Sequence, residues 1–334
     1  MTDAVRQTAA EDWDARANAL DAGDPLAQAR ALFDLPDGVV YLDGNSLGPL
    51  PKTVPARLNQ AVQQEWRTDL IRSWNTAGWI DLPAKIGEKI GTLIGAEPQT
   101  VVAADSTSTN VFKVLSGALA LRPDRRKIIS ERQNFPTDLY MAEGVIGQLG
   151  QGHELVLIDS PDELPGTIDD QTAVVMLTHV NYRSGAMFDI ADVTALAHRA
   201  GALTVWDLAH SAGAVPVDLS AANADFAIGC GYKFLNGGPG APAFLYVAPK
   251  HQEKFNQPLS GWMGHAAPFA FESSYRPAEG ISRALCGTPP VLAMAALDAA
   301  MDIWQQVSMA QVRAKSIEQC AFFIEAVENH CAGH

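Results

Sequence analysis

Six short apolar runs recur through the middle of the chain: KIIS (127–130), ELVLID (154–159), AVVMLT (173–178), ALTVWD (202–207), ADFAIG (224–229) and AFLYVA (243–248). Helix-like stretches separate several of them, notably 137–148 and 190–200. Apolar runs without alternation are strands buried on both faces, and strands interleaved with helices give an α/β sheet, largely parallel, with helices on either side. The flanks extend the pattern. Helices are predicted over 11–32, 55–66, 82–94 and 108–120, and two more after residue 290. VVYLDGNSLGPLP reads as a short strand at 39–42 running into a tight turn, which is either plain or placed beside a ligand.

Charge narrows the function classes. Lys and Arg number 24 against 38 Asp and Glu, a net charge of −14, so the basic footprint of a nucleic-acid binder is missing. No apolar run approaches the length of a membrane span, and the amino terminus lacks the pattern of a secretory signal. Four cysteines without a CxxC pair are too sparse for a disulfide framework and suit a reducing cytoplasm. His330 and His334 flank Cys331, but a metal site needs three or four converging ligands, so no metal is expected.

The strongest chemical candidate is GCGYKFLNGGPG, in which Lys233 follows the strand predicted at 224–229. A lysine at a strand end forms a Schiff base with a carbonyl when partly desolvated; alone, it reads as a solvated surface lysine. In WDLAHSAGA, Asp207 ends another strand and His210 follows three residues later, at the sheet edge where α/β proteins bind ligands. Together these supply what pyridoxal phosphate needs, an amine for its aldehyde and an anion for its ring nitrogen. The run 106–110 (STSTN) precedes a helix and suits either phosphate binding or simple capping. NFPTDLY offers Phe135 for ring stacking and Asp138 as a second carboxylate.

Taken in order, YLDGNSLG (41–48), LIRSWNTAGW (70–79), NFPTDLY (134–140), TAVVMLTHVNYRSG (172–185), WDLAHSAGA (206–214), GCGYKFLNGGPG (229–240), QPLSGWMGH (257–265) and LCGTPP (285–290) resemble the bacterial kynureninases over about residues 28–330. The resemblance implies a fold-type-I architecture dependent on pyridoxal 5'-phosphate, and a homodimer with shared active sites. It also implies hydrolysis of L-kynurenine to anthranilate and L-alanine in tryptophan breakdown, with a branch towards pyridine nucleotides. It does not rank L-kynurenine against 3-hydroxy-L-kynurenine, though its bacterial character favours the former.

By the same resemblance, Lys233 matches the lysine that holds the cofactor aldehyde, Phe135 the ring-stacking residue and Asp207 the partner of the ring nitrogen. Asp138 and His210 match supporting cofactor positions, and Thr107, Ser108 and Tyr232 the phosphate end. Trp262 and Thr288 match contacts made across a dimer interface, and Trp74 an aromatic position near the substrate ring. Lys233 is the expected base and Tyr232 a secondary candidate for proton transfer.

The domain division implied is 1–50 as an amino-terminal segment of a small domain, 51–300 as the large cofactor domain and 301–334 as the start of the carboxyl-terminal small domain. Family members extend further, so the resemblance implies that an arginine clamping the substrate carboxylate is not reached and that turnover is absent or impaired. Arg67, Arg72, Arg276 and Arg283 have no match to that role. Two alternatives stay open: another fold-type-I enzyme, such as a cysteine desulfurase or aminotransferase, and a cofactor-binding protein without activity.

Overall fold

The computed structural model describes residues 3–331. Its centre is a seven-stranded mixed sheet. Numbered along the chain after a short pair, β1 (Phe33–Asp34) and β2 (Leu50–Pro51), the sheet strands are β3 (Val101–Ala103), β4 (Lys127–Glu131), β5 (Glu154–Ile158), β6 (Thr172–Thr178), β7 (Leu203–Asp207), β8 (Phe226–Gly229) and β9 (Phe244–Val247). Their order is β3-β9-β8-β7-β6-β4-β5. The pairs from β5 to β8 are parallel, while β9 runs antiparallel to both β8 and β3. All six strands predicted in the middle of the chain form. The seventh, β3, is a three-residue run too short to stand out in the sequence.

Both faces of the sheet are covered, as uninterrupted apolar strands require. One cluster joins Val175, Leu177, Trp206 and Phe244 to helix Leu82–Leu93, helix Ile190–Arg199 and helix Val291–Met301. The other joins Val174, Met176, Val205 and Phe226 to helix Thr107–Ala120 and helix Pro136–Leu149. Of these five helices, the four between Leu82 and Arg199 match the ranges predicted for them to within a few residues.

Departures fall at the chain's flanks. The single helix predicted over 11–32 is a helix over Asp3–Gly23 and a separate 3-10 turn over Ala27–Leu32, broken at Asp24-Pro25 because proline lacks the N–H that would continue the ladder. The helix predicted over 55–66 is α-helical over Val54–Gln60 and continues as a π-helix over Ala61–Asp69. No strand forms at 39–42. Val40 and Leu42 stand 83% and 86% exposed, because no strand of this chain lies alongside them to complete a ladder.

The terminal helices meet. Arg16 makes a bidentate pair with Glu325 at 2.8 and 3.0 Å, Lys315 pairs with Asp24, and the rings of Trp13 and Phe322 lie edge to face at 5.1 Å. Among the described residues no helix is long and apolar enough to cross a membrane.

Candidate active site

Parallel strands deliver their carboxyl ends to one edge, and the residues that follow β4, β6, β7 and β8 assemble there. Thr178 and Asp207 end neighbouring strands in register with each other. Asp207 is buried. Its Oδ1 accepts from the Ala209 N–H at 2.8 Å, and its Oδ2 lies 3.3 Å from the Thr178 hydroxyl. That hydroxyl also reaches Asn134 Oδ1, which accepts from the Phe135 N–H at 2.6 Å as helix Pro136–Leu149 begins. One turn into that helix, Asp138 is buried with Oδ2 unpartnered.

The two carboxyls share one electrostatic problem. Burial first, then the Asp207 charge, pushes Asp138 well above the ordinary aspartate value, against the pull of Lys233. Burial raises Asp207 as well, opposed by the Ala209 N–H and by Lys233. Like charges this close in a dry site do not both ionise. Asp138 therefore holds a proton while Asp207 keeps the negative charge.

Lys233 follows β8 and is buried. Its Nζ lies 2.8 Å from His210 Nε2, 5.8 Å from the centre of the Phe135 ring and 5.7 Å from that of Tyr232. Burial, then the Lys233 charge, pushes His210 down to about 4. A neutral His210 accepts the lysine proton at Nε2 and carries its own proton on Nδ1, which is buried and unpartnered. Phe135 is 40% exposed although it sits at the centre of the cluster, so its ring offers a free apolar face. Tyr182 braces that ring edge to face at 5.3 Å and lies 6.4 Å from His210.

A turn from far upstream closes on the lysine. The Tyr41 hydroxyl donates to the Leu47 carbonyl at 2.7 Å, folding 41–47 back on itself, and the Gly48 N–H donates to the Tyr232 carbonyl at 2.9 Å. Only glycine fits there, since a Cβ would fall 2.2 Å from the Lys233 carbonyl oxygen. Of the two readings of this turn, the structure selects the one beside the site.

The remaining predicted residues form two further groups. Thr107 and Ser108 open helix Thr107–Ala120, capped by Ser106, whose Oγ accepts from the Thr109 N–H at 3.3 Å. Trp262 donates to Thr288 Oγ1 at 3.2 Å and meets Trp74 edge to face at 5.3 Å. No hydrogen bond or ring contact among the described residues joins Trp74, Trp262 and Thr288 to the lysine cluster. Of the arginines weighed from sequence, Arg276 is held by Glu272, Arg283 by the carbonyls of Ala278 and Glu253, and Arg72 makes one long contact to the Asp69 carbonyl.

Sequence reasoning missed Asn134, Thr178 and Tyr182 as members of the site, although each stands inside a motif it had marked. A threonine closing an otherwise apolar strand was the available signal. His179, next to Thr178, is buried against Trp206 and pushed down to about 4 by burial. Burial pushes the Cys230 thiol up to about 11, the reverse of a reactive thiolate. His334 lies outside the described residues, and no metal-holding cluster occurs among the rest.

The arrangement combines a buried amine, an open aromatic face, a carboxylate paired with a carboxylic acid, and two buried polar atoms without partners. Such orphans are uncommon in folded proteins and mark places where a ligand completes the hydrogen bonding. A ring with a basic nitrogen and an aldehyde suits the carboxylate at one end of the cluster and the amine at the other.

Comparison with known proteins gives the same answer. The family model for aminotransferase class-V matches residues 40–330. A kynureninase of Pseudomonas fluorescens is 55% identical over 320 residues, covering 95% of this chain and 77% of that one. One from Burkholderia mallei is 53% identical over 319 residues, covering 94% and 77%. Among solved structures, the apo cysteine desulfurase of Thermococcus onnurineus superposes with a TM-score of 0.76 at 22% identity, over 91% of this chain and 76% of that one. The cysteine desulfurase CsdA of Escherichia coli gives 0.72 at 24% identity, over 85% and 73%. At such identities the two structures speak for the fold alone.

Proposed function

The chain belongs to the kynureninase family of fold-type-I pyridoxal-phosphate enzymes, and on that premise we propose that the lysine cluster hydrolyses L-kynurenine to anthranilate and L-alanine. The observation that carries this reading is the placement of Lys233 Nζ between His210 and the open face of Phe135, with the Asp138 and Asp207 pair buried beside them. Lys233 is the amine that would hold the cofactor aldehyde, Phe135 the surface for its ring and Asp207 the anion for its ring nitrogen. When bound, pyridoxal phosphate supplies an aldehyde carbon and a ring that takes up electron density from the substrate.

Each residue then has a task of its own. Asp207 would keep the ring nitrogen protonated, and Asp138, holding its proton, would add no second charge to the buried site. The Thr178 hydroxyl and the Ala209 N–H fix the orientation of the Asp207 carboxylate. Lys233 would also be the base placed to take the substrate Cα proton. His210, kept neutral, is an acceptor that receives a proton from Lys233 and returns it. Tyr232, whose ring centre lies 5.7 Å from Lys233 Nζ, is the secondary candidate for assisting proton transfer.

Thr107, Ser108 and Tyr232 would take the phosphate, where exposed N–H groups at the helix start favour an anion. Trp74, Trp262 and Thr288 form a separate half-site, which supports a homodimer in which each centre draws on both chains. The contacts of Trp13, Arg16 and Asp24 with helix Met309–His330 support reading 1–50 with 301–334 as parts of a small domain, apart from the cofactor domain at 51–300. L-kynurenine and 3-hydroxy-L-kynurenine are both substrates to test.

The test is an absorbance scan of the purified chain with pyridoxal phosphate and then L-kynurenine, with anthranilate fluorescence followed in the same samples. A visible band that shifts on adding substrate, with anthranilate released, supports the proposal. A Lys233→Ala variant is expected to lose both the band and turnover. Product formation at the wild-type rate by that variant would overturn the assignment.

A further inference from the structure

Lys113 is the largest charged side chain with no exposure at all, and the proposed mechanism does not use it. It lies on helix Thr107–Ala120, whose first residues are the proposed phosphate contacts. Its Nζ makes two contacts, to Asp105 Oδ2 at 2.5 Å and to the Ala284 carbonyl at 2.8 Å. Both partners are in telling places. Asp105 is the second residue before Thr107, held at φ 48°, a left-handed backbone that few residues other than glycine adopt. Ala284 is fully buried and leads into the segment bearing Thr288. In that segment the Cys286 carbonyl accepts from the Met263 N–H at 3.1 Å, and Thr288 accepts from Trp262.

We propose that Lys113 is a positioning residue that sets the phosphate end of the cofactor site by clamping Asp105 to Ala284. The inference rests on the reading of Thr107 and Ser108 as phosphate contacts. The physical argument has two parts. A fully buried ammonium is tolerated only when paired and hydrogen-bonded, so the turn at 104–106 and the loop at Ala284 are held to each other through one cation. The Asp105 backbone is pinned separately, its carbonyl accepting from the Ala243 N–H at 2.9 Å beside β9.

The second part is electrostatic. A carboxylate beside a helix start is drawn to the same free N–H groups that would bind phosphate, and it repels that phosphate. Lys113 neutralises Asp105 and turns its carboxylate away. Without the lysine, Asp105 becomes a competitor for the phosphate seat.

The measurement is the dissociation constant of pyridoxal 5'-phosphate and of pyridoxal, which lacks the phosphate, for the full chain and its variants. K113M is expected to weaken pyridoxal 5'-phosphate about tenfold, roughly 1.4 kcal/mol, and to change pyridoxal by less than about twofold. D105N keeps an oxygen acceptor and tolerates the left-handed backbone, so both ligands stay near wild type. Adding D105N to K113M removes the competing charge but not the lost clamp, so part of the lost affinity returns. Equal weakening of both ligands by K113M would mark a general packing defect and overturn the proposal, as would no weakening of either.

If K113M does not fold, D105A serves alone. It removes the acceptor from a partly exposed residue, and a loss confined to pyridoxal 5'-phosphate is expected; equal effects on both ligands overturn the proposal. T107A and S108A in the same assay separate two failures. Should they leave the preference for the phosphorylated ligand intact, the phosphate seat lies elsewhere and the reading beneath the proposal fails. Should they abolish it while K113M and D105A do not, the role of Lys113 fails alone.

Discussion

A carboxylic acid kept protonated inside a folded protein is a stability liability that a ligand removes. The ordinary aspartate value is 3.8, and burial with the neighbouring Asp207 charge holds Asp138 well above it. A raised acid favours the folded state below 3.8, and that contribution is lost as pH climbs through the folded value, since the unfolded chain releases the proton first. Asp138→Asn keeps the shape and has no proton to lose. Without cofactor, the variant is therefore expected to gain thermal stability relative to wild type as pH rises from 4 to 8. Melting curves across that range check it, and a gap that does not change with pH would remove the proton from Asp138.

At the scale of elements, the site is made by loops that one sheet edge brings together, and their fit is tight at Gly48. Its Cβ position lies 2.2 Å from the Lys233 carbonyl oxygen and 2.3 Å from Asn236 Oδ1. Gly48→Ala must push the turn at 41–48 and the lysine loop apart, which costs about 1–3 kcal/mol of stability. Because small misplacements of reacting groups are expensive, kcat/KM is expected to fall by about 100-fold, against a modest change in melting temperature. Comparable losses in both would place Gly48 in general packing.

The opposite edge of the sheet tests packing without chemistry. Asp225, which precedes β8, is buried and accepts from His198 Nε2 at 2.7 Å, His251 Nε2 at 2.8 Å, Lys250 at 2.9 Å and the Thr204 N–H at 2.9 Å. Those donors hold its carboxyl far below the usual range despite the cost of burial. A depressed acid stabilises the fold above the ordinary value and loses that contribution as pH falls through the folded one. Asp225→Asn is expected to cost about 3 kcal/mol at pH 7 by urea denaturation. The difference should begin to narrow only as pH falls below the ordinary aspartate value of 3.8, and should persist in part well under pH 4.

The same elements explain what the sequence made legible. Strands buried on both faces are continuous apolar runs, so β4 to β9 could be read one by one, and Lys233, Asp207 and His210 followed from their places after strand ends. Val39 to Leu42 misled for a related reason. It is as apolar as a strand, but a ladder needs a neighbour, and composition does not say whether one exists. Thr178 and Asn134 were hidden because their role comes from β6 and β4 lying side by side, a pairing between segments far apart in sequence. Tyr182 was hidden because an aromatic in a loop has no periodicity to betray its contacts.

For the whole molecule, a set of exposed apolar side chains and one divided site point in the same direction. Val40, Leu42, Leu70 and Ile71 lie open to solvent, and a single such side chain contributes about 1.5–3 kcal/mol when fully buried. Trp262 and Thr288 stand in one half-site and Lys233 in another, so a symmetric pair of chains has two surfaces on which each could complete the other's centre. Leu42→Glu combined with Ile71→Glu is expected to convert a sedimenting dimer to monomer and to lose cofactor with it. A second experiment isolates sharing from folding. A Lys233→Ala dimer lacks the amine in both centres, and a Trp262→Ala dimer lacks the indole in both. After subunits exchange, half the dimers are mixed, and each mixed dimer holds one centre with both residues intact if the centres are shared, so about a quarter of wild-type activity should return. Recovery on mixing is the signature of centres built from two chains. Exchange without recovery would confine Trp262 and Lys233 to one chain's centre.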